Sequence, residues 1–166
     1  MTEWFSNIAD KFMLCFVNEG YWKWLVTGFG HTIIITLFAV LIGFVFGIVL
    51  AAIRSSYDKS EESLKIKGGF GYHFLKFLNS ICKIYINVIR GVPVVVQLMI
   101  WYFIILVSQK NGVIVAIIAF GFNSAAYVAE IFRGGIMSID QGQFEAGRSL
   151  GFNYVQTMIY IIIPQT

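Results

Sequence analysis

The chain has 166 residues, of which 58% are hydrophobic, 17% aromatic and only 13% charged, with a formal net charge of +3. A soluble domain carries about 45–50% apolar and about 25% charged residues, and its surface-to-volume ratio would leave much of this apolar excess wet. The balance excludes a disordered chain, an ordinary soluble enzyme and a disulfide-stapled secreted domain, and it points to an all-α integral membrane protein.

Residues 1–24 come before the first long apolar run. They carry Glu3, Asp10 and Glu19 and lack the basic start, short apolar stretch and small-residue cleavage site of a signal peptide. Tyr21, Trp22 and Trp24 stand where an interfacial aromatic belt anchors a membrane helix. From there to Ile53 the chain is nearly free of charge, and residues 25–53 are expected to be the first span, since about 20 apolar residues cross a bilayer core. Gly43 and Gly47 make a GxxxG spacing that Ala51 extends, a pattern that permits close helix contact but also arises by chance in glycine-rich membrane helices.

Ser55 to Gly71 is polar, mixes both charge signs and contains Gly68-Gly69, so it reads as a flexible connector. His73 to Asn87 combines Phe, Leu, Ile and Tyr with Lys76 and Lys83, as an amphipathic helix at a membrane surface would. Residues 91–109 and 111–132 are bracketed by charges and are expected to be the second and third spans. The uncharged stretch 152–166 is expected to begin a fourth. Continuous apolar runs favour helices over an alternating barrel pattern. With the N-terminus outside, nine of the twelve Lys and Arg residues fall in inner segments and three in outer ones, so the net charge is read as topology rather than as nucleic-acid binding. Cys15 and Cys82 stand far apart with no neighbouring His or Cys, and are read as small apolar fillers.

Polar groups at membrane depth are costly. In the third span Asn123, Tyr127 and Glu130 fall on one helical face, with Ser124 beside them, and Gln97 stands in the second. Two readings remain open for Gln97, Asn123, Ser124 and Tyr127: a polar stripe on a solute pathway, or a hydrogen-bonded seam between helices. Glu130 and Arg133 suit a charge pair at the inner end. No paired carboxylates, metal-ligand cluster or nucleophile and base lie within the spans, so catalysis and a resident metal are not expected.

After the third span, residues 134–151 form a short polar segment suited to docking. Gly134-Gly135 reads as the end of the preceding helix. Glu145-Ala146-Gly147, then Gly151, Ile161, Ile163 and Pro164, with Gly142-Gln143 just before, closely resemble the EAA loop of bacterial ABC importer permeases, whose pattern is E-A-A-x3-G-x9-I-x-L-P. Gly147 stands for the second Ala and Ile163 for Leu. Arg90-Gly91-Val92-Pro93 followed by Gln97 resembles the RGTPxxxQ entry to the second span of polar amino acid permeases. The run from Asn123 to Ile136 resembles their third span.

The resemblance implies a type I ABC importer transmembrane domain over residues 25–166, as in histidine- and glutamine-permease-like subunits of the bacterial cell membrane. Its implied coupling residues are Gly142, Gln143, Glu145, Ala146, Gly147, Gly151, Ile161 and Pro164. The implied partners are an ABC ATPase that uses the ATP, a second permease subunit, identical or related, and an extracytoplasmic amino-acid-binding protein. The chain has no Walker A loop, and no cofactor of its own is implied. Family permeases continue beyond the motif's proline, so the 166 residues are expected to be most of a permease and not all of one. The rival reading is a small ATP-independent channel or accessory membrane subunit.

Overall fold

The computed structural model describes residues 2–18, 20–67 and 70–166, and among them the chain is helical with no strand. Helix α1 (Thr2–Met13) runs through a π turn toward α2 (Trp22–Lys67). Helix α3 (Phe70–Gly91) leads into α4 (Val94–Ile100), which closes with a π turn at Trp101–Ile105. Then come α5 (Gly112–Ser138), α6 (Gln141–Ser149) and α7 (Tyr154–Thr157), the last tightening through π and 3-10 turns to Gln165. Most large apolar side chains of α2 are exposed, Phe29 and Leu37 among them, as a helix bathed in lipid requires.

The expected flexible connector is instead helix as far as Lys67. Between Arg54 and Lys67 there is neither Pro nor Gly, and extending an existing helix adds one hydrogen bond per residue with no new nucleus to form. At 46 residues α2 is about 69 Å long, twice what a bilayer core demands. Gly68-Gly69 and the side chain of Cys15 lie outside the described residues, whereas Cys82 is a buried free thiol.

The second expected span also differs. Pro93 has no N–H to continue α3, and the chain turns there by 109° before α4 begins. The seven residues of α4 and five of its π turn rise only about 18 Å, so α4 forms a bent pair with α3 rather than one straight helix over 91–109. By contrast α2 (mean hydropathy 3.1 over its apolar part) and α5 (1.9) are each long and apolar enough to cross alone.

Helix α5 passes through Gly134-Gly135 and stops at Ser138, so the glycines do not end it and the 134–151 segment starts inside the helix. A Cβ on Gly135 would overlap Thr166, which explains that glycine by close packing. The true stop is set by Ile139, extended, and Asp140, which caps the next helix.

The core is a seam between α2 and α5, which run parallel, as first and third spans must. Every fourth residue from Ala39 through Gly43, Gly47 and Ala51 to Ser55 is small and buried, and Gly43 and Gly47 face Ser124, Ala125 and Val128 of α5. A Cβ on Gly43 would lie 2.5 Å from the Ser124 Cβ, and one on Gly47 would lie 2.5 Å from the Val128 Cγ1. The GxxxG spacing is therefore a real contact. On the far side of α5, Ile86 of α3 packs on Ala126 and Ala129, and the Tyr85 hydroxyl donates to the Phe122 carbonyl at 2.6 Å.

Candidate functional site

Two regions bring the sequence-selected residues together. The first is a cavity of about 340 Å³ between α2 and α5, lined by Thr32, Ile35, Thr36, Ala39, Val40, Phe120, Asn123 and Ser124. Its polar lining is three hydroxyls and one amide, with no formal charge. Thr32 and Thr36 face it one turn apart on α2. Sequence reasoning missed both, since a lone Thr in an apolar run usually bonds back to its own helix, as the Thr32 hydroxyl does to the Gly28 carbonyl at 3.0 Å.

The polar stripe of α5 does not stay together. Asn123 Nδ2 donates to Gln97 Oε1 on α4 at 3.1 Å, while Ser124 lines the same cavity. Tyr127 is 45% exposed and turns toward α3, where the Arg90 guanidinium lies 5.5 Å from its ring centre. Gln97 is buried and its Nε2 donates to the Ile89 and Val92 carbonyls at 2.6 and 2.8 Å. Pro93 has no N–H to give the Ile89 carbonyl four residues back, and Val92 lies in the break between α3 and α4, so Gln97 bridges the bend. Seam and cavity thus meet in Asn123.

Below them Glu130 accepts from Arg54 of α2 at 3.1 Å and from Arg133, one turn along α5, at 2.6 Å. Arg133 also reaches Asp58 at 3.2 Å. The expected Glu130–Arg133 pair is thus half of a four-membered network that ties α2 to α5 at one end.

The second region is α6. Asp140 caps it by accepting from the Gly142 N–H at 2.7 Å. Its other end is a Schellman stop: the Gly151 N–H donates to the Arg148 carbonyl at 2.9 Å and the Phe152 N–H to Gly147 at 3.0 Å, with Gly151 at φ +83°. A residue with a Cβ would be strained there, which accounts for glycine at that position. Asn153 and Gln156 then form a reciprocal capping box that starts α7.

Phe144 and Gly147 turn inward. Phe144 packs with Ile136 and Ile162 in a small core flanked by Ile161, and a Cβ on Gly147 would lie 2.7 Å from the Thr157 Cγ2. Gly147 therefore serves contact with α7. Gln143, Glu145 and Ala146 are exposed, as is Leu150 at 71%. Leu150 went unselected because a single leucine in a polar stretch carries no motif. Pro164 is exposed in the last turn.

A family described as "binding-protein-dependent transport system inner membrane component" matches residues 66–166. A probable amino-acid ABC transporter permease of Bacillus subtilis is 37% identical over 86% of this chain and 57% of its own length. The glutamate/aspartate import permease GltK of Escherichia coli is 35% identical over 86% of this chain and 60% of its own. A crystal structure of an amino acid ABC transporter with histidines superposes with a TM-score of 0.68 at 33% identity, covering 88% of this chain and 61% of that one. The chain thus spans about three fifths of the length of these relatives.

Proposed function

Because the chain belongs to the family of binding-protein-dependent transport system inner membrane components, non-catalytic integral membrane subunits of ABC transporters, we propose that it serves an ATP-driven amino acid importer as permease. In this reading the N-terminus lies outside the bacterial plasma membrane and α6 lies in the cytoplasm, where it receives a separate ATPase. A second permease subunit completes the pathway, and an extracytoplasmic binding protein delivers the amino acid. The observation that carries the reading is the build of α6. It is stopped at both ends by its own hydrogen bonds and fastened inward by Phe144 and Gly147. It offers Gln143, Glu145, Ala146 and Leu150 outward, as a rigid knob for a groove on a partner. A knob fixed to the α5 end transmits partner movement as rigid-body displacement of the spans.

Gly151→Arg is expected to abolish co-purification with the ATPase, because it strains the left-handed stop and adds bulk. Gly151→Asn, which tolerates that conformation, is expected to retain most of it. Leu150→Glu should lose capture while the melting temperature stays put. Undiminished co-purification of both Gly151→Arg and Leu150→Glu would overturn the docking assignment.

The cavity of Thr32, Thr36, Asn123 and Ser124 lies on the proposed solute pathway. Asn123→Leu is expected to lower uptake at low substrate concentration roughly tenfold, the scale of one lost polar contact, with assembly intact. Normal uptake would leave Asn123 a packing residue.

A further inference from the structure

A chain of hydrogen bonds fixes which way the Asn123 amide faces. Backbone carbonyls only accept, so the Gln97 arm lying 2.6 and 2.8 Å from the Ile89 and Val92 carbonyls must be its nitrogen. Gln97 Oε1 is therefore the arm turned to Asn123, and an oxygen placed 3.1 Å from it would be repelled, so Asn123 turns its Nδ2 there. Oδ1 is left as the amide oxygen with no protein donor among the described residues, on a side chain that lines the cavity. Thr32 has already given its hydroxyl proton to the Gly28 carbonyl, so its oxygen offers lone pairs as well. The cavity has no cation in its lining, and its volume of about 340 Å³ suits a small metabolite.

We infer that Gln97 is a positioning residue that holds the Asn123 Oδ1 toward the cavity, and that the cavity takes the α-ammonium end of an amino acid rather than its carboxylate. The inference rests on the cavity being part of the solute pathway. An ammonium gains charge-assisted hydrogen bonds from the Asn123 Oδ1 and the three hydroxyl oxygens, whereas a carboxylate against the same wall would find donors only in the Thr36 and Ser124 hydroxyls and would be repelled by the Asn123 Oδ1. The carboxylate end then points away from Asn123.

The test uses the assembled transporter with Cys15→Ser and Cys82→Ala and a reporter, Thr36→Cys, labelled by a methanethiosulfonate reagent without the binding protein. Glutamate, glutamine and arginine are offered as the parent, its α-carboxamide and its Nα-acetyl derivative. For a parent that slows labelling, the carboxamide is expected to protect nearly as well, and the acetyl form roughly tenfold less well. An acetyl form that protects as well as its parent, or a carboxamide that fails, overturns the assigned polarity while leaving the cavity on the pathway. Failure of all three parents overturns the pathway reading and this inference together. In Gln97→Leu or Gln97→Met the ratio between the two derivatives is expected to fall toward one, with ATPase co-purification retained. A purely structural role would weaken both derivatives alike, and an unchanged ratio overturns the positioning role.

Discussion

Gly47→Leu is expected to destabilise the folded chain by about 3 kcal/mol or more, at the upper end of overpacking effects. A Cβ at this position would stand 2.5 Å from the Val128 Cγ1, 2.6 Å from the Val128 Cβ and 3.1 Å from the Ala125 carbonyl oxygen. The last of these belongs to the α5 backbone, so no rotamer change relieves the overlap. Helices in lipid gain nothing from hiding apolar surface from one another, so their attraction is close packing itself, which an inserted side chain removes. Gly28 is the internal control, because nothing lies within 4 Å of a Cβ built there. Gly28→Leu is expected to change stability by no more than about 0.5 kcal/mol. Melting temperature and yield in mild detergent report both variants, and Gly47→Leu melting with Gly28→Leu would refute the seam.

The α2–α5 seam was half legible in the sequence. The Gly43, Gly47 and Ala51 spacing was visible, but spacing does not name a partner, and the facing residues Gly121, Ala125 and Ser124 lie about 80 positions away. Charge-free runs located the spans because lipid tolerates few alternatives. The extent of α2 was misread for a related reason. Beyond Ile53 the solvent changes, whereas helix propagation does not depend on which solvent surrounds it, so a polar composition mimicked a loop. Gly134-Gly135 misled in the same way, since a glycine permits a helix stop without imposing one. At Pro93 the opposite held: a missing N–H is a local fact, and the bend follows it. The stripe of Asn123, Tyr127 and Glu130 was placed on one face correctly, yet that face meets α4, α3 and α2 in turn, which only the tertiary arrangement decides.

Removal of the Glu130 carboxylate is expected to loosen the same two helices at their charged end. In Glu130→Ala, Arg54 loses its one ion pair found among the described residues, and Arg133 keeps only Asp58. The Arg54 side chain is 12% exposed and its Nε is already buried without a partner, so little water can replace the carboxylate. Breaking a fully buried pair costs about 3–5 kcal/mol, and the 25% exposure of Glu130 brings the expected loss to about 2–3 kcal/mol. Such a loss exceeds what a surface pair would give, at most about 1 kcal/mol. Arg54→Ala with Glu130→Ala should be less destabilised than the sum of the singles by about 1–2 kcal/mol, because the double variant strands no charge between α2 and α5. Raising salt should leave that coupling largely intact, since screening acts chiefly on exposed charges. Thermal unfolding of the four proteins in lipid nanodiscs, followed by tryptophan emission, measures the coupling. Additive losses would show that Arg54 and Glu130 are neighbours without being partners, and would leave Gly43 and Gly47 as the source of cohesion between the two spans.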